Sequence, residues 1–158
     1  MDKDVLEVFV LSLPSKLGHE KVAMSTAASV AKLMGFSEDR IEDLKTAVAE
    51  ACINSIEHGN RMDESLKVGI ILSMTATTLE IRVCDQGSGL GAKTPAPDID
   101  SKMGGEENPR GMGKFLIQAL MDEVEWINSQ PTGSCARLVI HLEKPEGEKC
   151  RIGQPASE

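Results

Sequence analysis

Glu50-Ala-Cys-Ile-Asn54-Ser-Ile-Glu-His58-Gly59 ends the segment whose reading decides the fold. Ser37, followed by Glu38 and Asp39, reads as a helix start, and Ile41, Leu44, Val48, Ala51, Cys52 and Ser55 then recur at helical spacing. The helix is expected to run to His58, with Gly59-Asn60 closing it. At about 100° per residue, Glu50, Asn54 and His58 form a polar strip about 80° wide at the edge of the apolar stripe. Ala47 and Ala51 lie beside that strip, so a ligand resting on the alanines would meet its polar groups. Asn54 can offer its carbonyl oxygen to a hard cation such as Mg²⁺. A partly desolvated Glu50 can orient or deprotonate an attacking hydroxyl or water. Taken alone, the same residues also describe a solvated helix edge ending in a His-Gly cap.

On the N-terminal side, Val5–Leu13 alternates as a strand does and Pro14 stops it. Residues from about Gly18 to Met34 read as a helix ending at Gly35. On the C-terminal side come two strands, about Leu66–Met74 and Leu79–Cys84, joined by a Thr-rich turn. From Asp85 to Arg110 the chain is rich in Gly, Pro and acidic residues without periodicity, as in a functional or mobile loop. A helix from about Gly113 to Met121 follows, and then a hairpin of Glu123–Ser129 and Ser134–Leu142 around Pro131-Thr132-Gly133. The order β-α-α-β-β-loop-α-β-β predicts an α/β (α+β two-layer) sandwich. Its mixed, mostly antiparallel sheet would be covered on one face by three helices. Residues 1–143 form one domain in this reading, and the polar tail 144–158 is expected to be disordered.

Two further motifs carry chemistry. Asp85-Gln86-Gly87-Ser88-Gly89 follows a strand in which Leu79, Ile81 and Val83 share one face, so Asp85 is expected to point to the helix-covered side. A carboxylate aimed inward needs a donor, and the exocyclic amine of adenine is one. Gly87 and Gly89 let the backbone come close to a flat base. Arg110-Gly111-Met112-Gly113-Lys114 ends the long loop and opens a helix, where free N–H groups favour phosphate and Arg110 or Lys114 adds charge. Alone, each motif equally fits an Asp-capped glycine turn or an ordinary loop-to-helix junction.

The 158 residues suffice for one core, and 41% hydrophobic with 27% charged residues is a globular balance. A net charge of -8 repels phosphate backbones, which argues against nucleic acid as a direct partner. No apolar run is long enough to cross a bilayer, and the N-terminus does not resemble a signal peptide, so the expectation is a cytoplasmic protein away from membranes. Cys52, Cys84, Cys135 and Cys150 show no CxxC pairing, and the first three lie in apolar segments, so zinc and disulfides are set aside. Gly87-x-Gly89-x-Gly91 is not a dinucleotide fingerprint, because position 92 is Ala. Walker A, HRD and DFG signatures are lacking too.

In order and spacing, Glu50-x-x-x-Asn54-x-x-x-His58-Gly59, Asp85-x-Gly87-x-Gly89 and Gly111-x-Gly113 resemble the N, G1 and G2 boxes of the GHKL (Bergerat-fold) ATPase and kinase superfamily. The run Phe115-Leu116-Ile117-x-x-Leu120-Met121-Asp122-Glu123-Val124 is similar to the segment after the G2 box in its anti-sigma-factor serine kinase (RsbW-like) branch. The resemblance covers roughly residues 5–143. It implies that Asn54 coordinates Mg²⁺, that Glu50 is the catalytic carboxylate, and that Asp85 binds the adenine amine of ATP. It also implies that Gly87, Gly89, Gly111 and Gly113 shape the base and phosphate walls, with an ATP lid between the last two boxes. His58, Arg110, Met112 and Lys114 complete the expected nucleotide contacts. Some relatives carry a hydroxyl residue just before the N-box Asn, where this chain has Ile53. A sensor histidine kinase shares the boxes but needs a phosphoacceptor helix pair, for which 158 residues leave no space. The implied function is a serine/threonine kinase acting on a small antagonist protein, with a sigma factor as a second partner and a homodimer as its assembly. The alternative is a non-catalytic, ATP-gated module that sequesters a regulator.

Overall fold

Ser37 starts the central helix as the sequence implies: its backbone is extended and its hydroxyl accepts a hydrogen bond from the Arg40 N–H at 3.2 Å, satisfying a donor the first turn leaves free. In the computed structural model, which describes residues 4–87, 109–128 and 133–142, this helix is α2 (Glu38–Asn54), preceded by strand β1 (Glu7–Pro14) and helix α1 (Glu20–Met34). Gly35 closes α1 in the left-handed region at φ 94°, and the N–H groups of Gly35 and Phe36 return to Lys32 and Ala31 carbonyls. Strands β2 (Lys67–Met74) and β3 (Thr78–Cys84), helix α3 (Pro109–Leu120) and strands β4 (Glu123–Asn128) and β5 (Ser134–His141) follow.

The sheet order is β1-β2-β3-β5-β4. Every described pairing is antiparallel, so the mixed, mostly antiparallel sheet that was expected is corrected to an antiparallel one. The α+β two-layer sandwich itself stands. Period-two alternation sends Val68, Ile70 and Leu72, then Leu79, Ile81 and Val83, then Ala136, Leu138 and Ile140 to one buried face. Against it α2 packs Ile41, Leu44, Val48, Ala51 and Cys52, with α1 and α3 on either side of α2. Each fully buried Leu or Ile contributes about 1.5–3 kcal/mol, so this shared stripe is what fixes α2 to the sheet. Arg40 reinforces the far end: its guanidinium donates to Asp122 at 3.0 Å and to the Leu120 carbonyl at 3.3 Å, tying α2 to the junction of α3 and β4.

Three expectations change. The helix expected to run to His58 ends at Asn54, and Ser55–Gly59 forms one π turn, in which the Asn60 N–H reaches back five residues to the Ser55 carbonyl at 2.8 Å. The helix expected from Gly113 begins at Pro109, because a proline in a first turn gives up an N–H that has no helical partner anyway. Disulfides, set aside for want of a CxxC spacing, have to be restored. Cys84 and Cys135 stand opposite each other in the β3–β5 register and are bonded across 51 residues of sequence. Strand pairing creates that proximity, and sequence spacing does not show it. Cys52 is the buried hydrophobe it was read as, its thiol pushed up to about 12 first by burial and then by Glu20. The loop read as a lid, up to residue 108, and the tail 144–158 lie outside the described residues.

Candidate active site

The polar strip of α2 splits at the π turn. Glu50 and Asn54, one α-turn apart, stay on the edge facing α3, whereas the wider turn carries His58 into solvent. His58 is not among the residues lining the cleft that holds Asn54. This cleft, about 260 Å³, runs between α2, the π turn, α3 and the ends of β3, β4 and β5. Ala51, Asn54, Ser55 and Gly59 form one wall, Val83 and Asp85 the floor, and Lys114, Trp126, Ile127, Asn128, Ser134, Cys135 and Ala136 the rest. Of the two alanines expected beside Asn54, Ala51 lines the cleft and Ala47 does not; Ser55 and Gly59 are the other small residues there.

Asp85 points to the helix-covered side, as the alternation of β3 requires, and its carboxyl group lies directly against Gly59. Any side chain at position 59 would occupy the space of that carboxylate. Burial raises the Asp85 pKa from 3.8, opposed by hydrogen bonds from the Ser134 N–H and hydroxyl and from the Gly87 N–H. The Ser134 bonds are 3.1 Å to Oδ1 and 3.2 Å to Oδ2. Gly87 takes φ +49°, and a Cβ there would come within 2.7 Å of the Gly133 backbone, so both the turn and the close approach require glycine. Gly89 lies outside the described residues.

Because α3 starts at Pro109, Arg110, Gly111, Met112 and Gly113 lie in its opening turns and not in a loop before it. Of Arg110 and Gly111 only the helical backbone is described, while Met112 is exposed. Gly113 is buried: a Cβ there would sit 2.7 Å from Glu50 Oε1 and 3.7 Å from Asn54 Oδ1. The missing side chain is what lets the carboxylate and the amide meet at the helix surface. Lys114, one residue on, rests its ammonium 4.8 Å from the centroid of the Trp126 ring, a cation–π contact at the edge of the cleft. Asn54 Nδ2 is buried and has no hydrogen-bond partner among the described residues. A buried amide donor without an acceptor costs about 1–3 kcal/mol, which a ligand oxygen would relieve.

A carboxylate and an amide on one helix edge, a half-buried aspartate after a strand, and a glycine-bearing helix beside them are the three boxes assembled around one cleft. A model of the histidine kinase-like ATPase domain matches residues 13–140. The chain belongs to the histidine kinase-like ATPase family. The serine-protein kinase RsbW of Bacillus licheniformis is 34% identical over 131 residues, 77% of this chain and 79% of its own length. RsbW of Bacillus cereus is 31% identical over 157 residues, 96% of this chain and 94% of its own. A crystal structure of RsbU and RsbW domains from Mycobacterium tuberculosis superposes with a TM-score of 0.64 at 16% identity, over 89% of this chain and 34% of that one. The fold is thus shared with a solved RsbW domain. Within the family this chain groups with the serine-protein kinases, the branch whose likeness was seen in the run Phe115–Val124.

Three polar or aromatic residues of the cleft, Ser134, Trp126 and Asn128, carry no signal in the sequence, and Asn60 lies behind that cleft. Ser134 and Trp126 reach it only through the β4–β5 hairpin, whose register places Ser134 opposite Asn128 and Trp126 opposite Ala136. Asn128 follows from the same hairpin. Asn60 was read only as a helix stop, although its position directly after the His58-Gly59 pair was a signal that it stays near the site.

Proposed function

We propose that this chain binds Mg–ATP in the cleft and transfers the γ-phosphate to a serine or threonine of a small antagonist protein. The observation that carries the reading is the convergence of Glu50 Oε1 and the Asn54 amide on the bare backbone of Gly113, beside a cleft floored by Asp85. Asp85 would accept the adenine amine. The same carboxylate would face a carbonyl in guanine, so GTP is disfavoured. Asn54 would hold the metal through its carbonyl oxygen, while its buried Nδ2, without a partner among the described residues, would donate to a ligand oxygen. Magnesium bound with the nucleotide neutralises charge on the group being transferred.

Glu50 orients the incoming hydroxyl and takes its proton as the serine oxygen bonds to the γ-phosphorus. The bond from that phosphorus to the bridging oxygen breaks, and ADP leaves with the electron pair. Lys114 is near enough to answer phosphate charge once it leaves the Trp126 ring. Arg110, at the start of α3, is assigned the same role, and the first-turn N–H groups of α3 add to it.

The partners are proteins, an antagonist with an acceptor hydroxyl and a sigma factor, and the charge of -8 argues against nucleic acid. The homodimer is supported by β1, an edge strand with Val8 and Val10 exposed and Leu6 exposed just before it; light scattering that finds a monomer at tens of micromolar (roughly where weak interfaces report) would remove it. Among the described residues no helix is long and apolar enough to cross a membrane. We assign the protein to the cytoplasm, where disulfides are transient or redox-sensing, so Cys84 and Cys135 are expected to respond to the reducing state there. The test of the function is transfer of labelled γ-phosphate to antagonist-like proteins. Glu50→Gln should keep ATP binding and lose transfer by about 10²–10⁴-fold, the contribution of a positioned base. Wild type that binds ATP but labels none of them, with Glu50→Gln unchanged, would leave the ATP-gated binder as the better account.

A further inference from the structure

Asn60 is 1% exposed, and its amide has every bonding position filled. Its Oδ1 accepts from the Gln86 N–H at 2.9 Å and the Gly87 N–H at 3.0 Å. Its Nδ2 donates to Ser15 Oγ at 2.8 Å and to the Lys67 carbonyl at 3.0 Å. Ser15, fully buried, passes its own proton to the Leu66 carbonyl at 2.8 Å. One side chain therefore joins the residue after β1, the start of β2 and the turn after β3. That turn is the one that carries Asp85. The Gly87 N–H also reaches the Asp85 carboxylate, but Asn60 Oδ1 is the acceptor that the Gln86 and Gly87 N–H groups share.

We infer that Asn60 is a positioning residue for base recognition: it sets the Asp85-Gln86-Gly87 turn before nucleotide arrives, so that the Asp85 carboxylate meets the base amine already oriented. The inference rests on the reading of Asp85 as the base ligand. Asn60 touches no nucleotide in it and acts through the turn. Ser134 holds the Asp85 carboxylate from the β5 side, and Asn60 holds the backbone from the other, so the two together leave the side chain one orientation. A buried amide suits the task because it accepts and donates at once. Asn60→Asp keeps the shape and the acceptor but loses both donors, and sets a carboxylate oxygen against the Lys67 carbonyl. Asn60→Ala removes both arms. Ser15→Ala removes one of the two acceptors of Nδ2.

The experiment combines calorimetry of Mg–ATP and Mg–GTP with amide exchange measured by NMR on the nucleotide-free protein. In wild type the Gln86 and Gly87 amides should be protected on the order of 100-fold, as hydrogen-bonded groups are. In Asn60→Ala the Gln86 amide should exchange freely and the Gly87 amide, left with the Asp85 carboxylate, faster than in wild type, while Ile81 and Val83 in β3 stay protected. ATP affinity of Asn60→Ala and Asn60→Asp should fall about tenfold or more, and the preference for ATP over GTP should shrink with it. A purely structural role would lower stability without moving that preference in the folded protein. Ser15→Ala should show about a threefold loss of preference and faster Gly87 exchange, and it carries the test if neither Asn60 variant folds. Unprotected Gln86 and Gly87 amides in wild type, or folded variants with wild-type affinity and preference, would overturn the role of Asn60 alone. A wild type that binds no ATP would overturn the nucleotide reading itself, even with those amides protected.

Discussion

Gly113→Ala separates stability from catalysis at this site. The added Cβ would lie 2.7 Å from Glu50 Oε1, and reaching ordinary contact at 3.4 Å moves the oxygen by roughly 0.7 Å. The atom that must yield is the far end of a flexible side chain, so the cost is at most an off-rotamer Glu of about 0.5–1.5 kcal/mol. Against it stands a gain of about 0.5–1 kcal/mol from replacing a helical glycine by alanine. Net stability should change by less than about 1 kcal/mol, a shift in Tm within about 4 °C for a domain of this size. The displaced carboxylate, however, no longer meets the acceptor hydroxyl, and a misplacement near 1 Å costs about 100-fold in rate. Calorimetric melting and phosphotransfer to the antagonist protein, measured on one preparation, give both numbers. Transfer at the wild-type rate, or a stability loss above about 2 kcal/mol, would refute the packing of Gly113 on Glu50.

Asp85 gives the site a pH dependence. Burial raises its pKa from 3.8, and ATP would favour the ionised form, so ATP affinity should fall with acidification from a pH above 3.8, with calorimetry showing protons released on binding. For stability the sign is opposite: a raised folded pKa gives a contribution present below 3.8 and lost as pH rises through the folded value, so the advantage of Asp85→Asn in denaturant melts should shrink toward acid. The Cys84–Cys135 bond closes a loop of 51 residues, for which chain entropy gives about 4 kcal/mol as an upper figure. Reduction by dithiothreitol should lower Tm by up to about 8–16 °C, and an unchanged Tm would mean the bond constrains little.

Most of the fold was legible because its cues are local. Ser37 caps α2, Gly35 ends α1, and the alternation of Leu79, Ile81 and Val83 aims Asp85 inward. Glu50 and Asn54 meet Gly113, and Asn54 shares a cleft with Asp85, the arrangement that the family resemblance implied. What escaped depends on register or on helix period. Cys84 and Cys135 meet, and Ser134 reaches Asp85, only because β5 inserts between β3 and β4. His58 leaves the strip because one turn widens after Asn54, which an assumed constant helical period cannot foresee. Pro109, which the sequence places in a loop, is the first residue of α3, so the glycines of the third box lie inside the helix.

The central claim is that this cleft is an adenine-nucleotide site read by Asp85. Isothermal titration of Mg–ATP and Mg–GTP into wild type and Asp85→Ala tests it most directly. The account predicts one ATP per chain, GTP weaker by at least about tenfold, a difference of about 1.4 kcal/mol, and loss of ATP binding in an Asp85→Ala protein that still folds. Equal affinity for the two nucleotides, or undiminished ATP binding by Asp85→Ala, would contradict it.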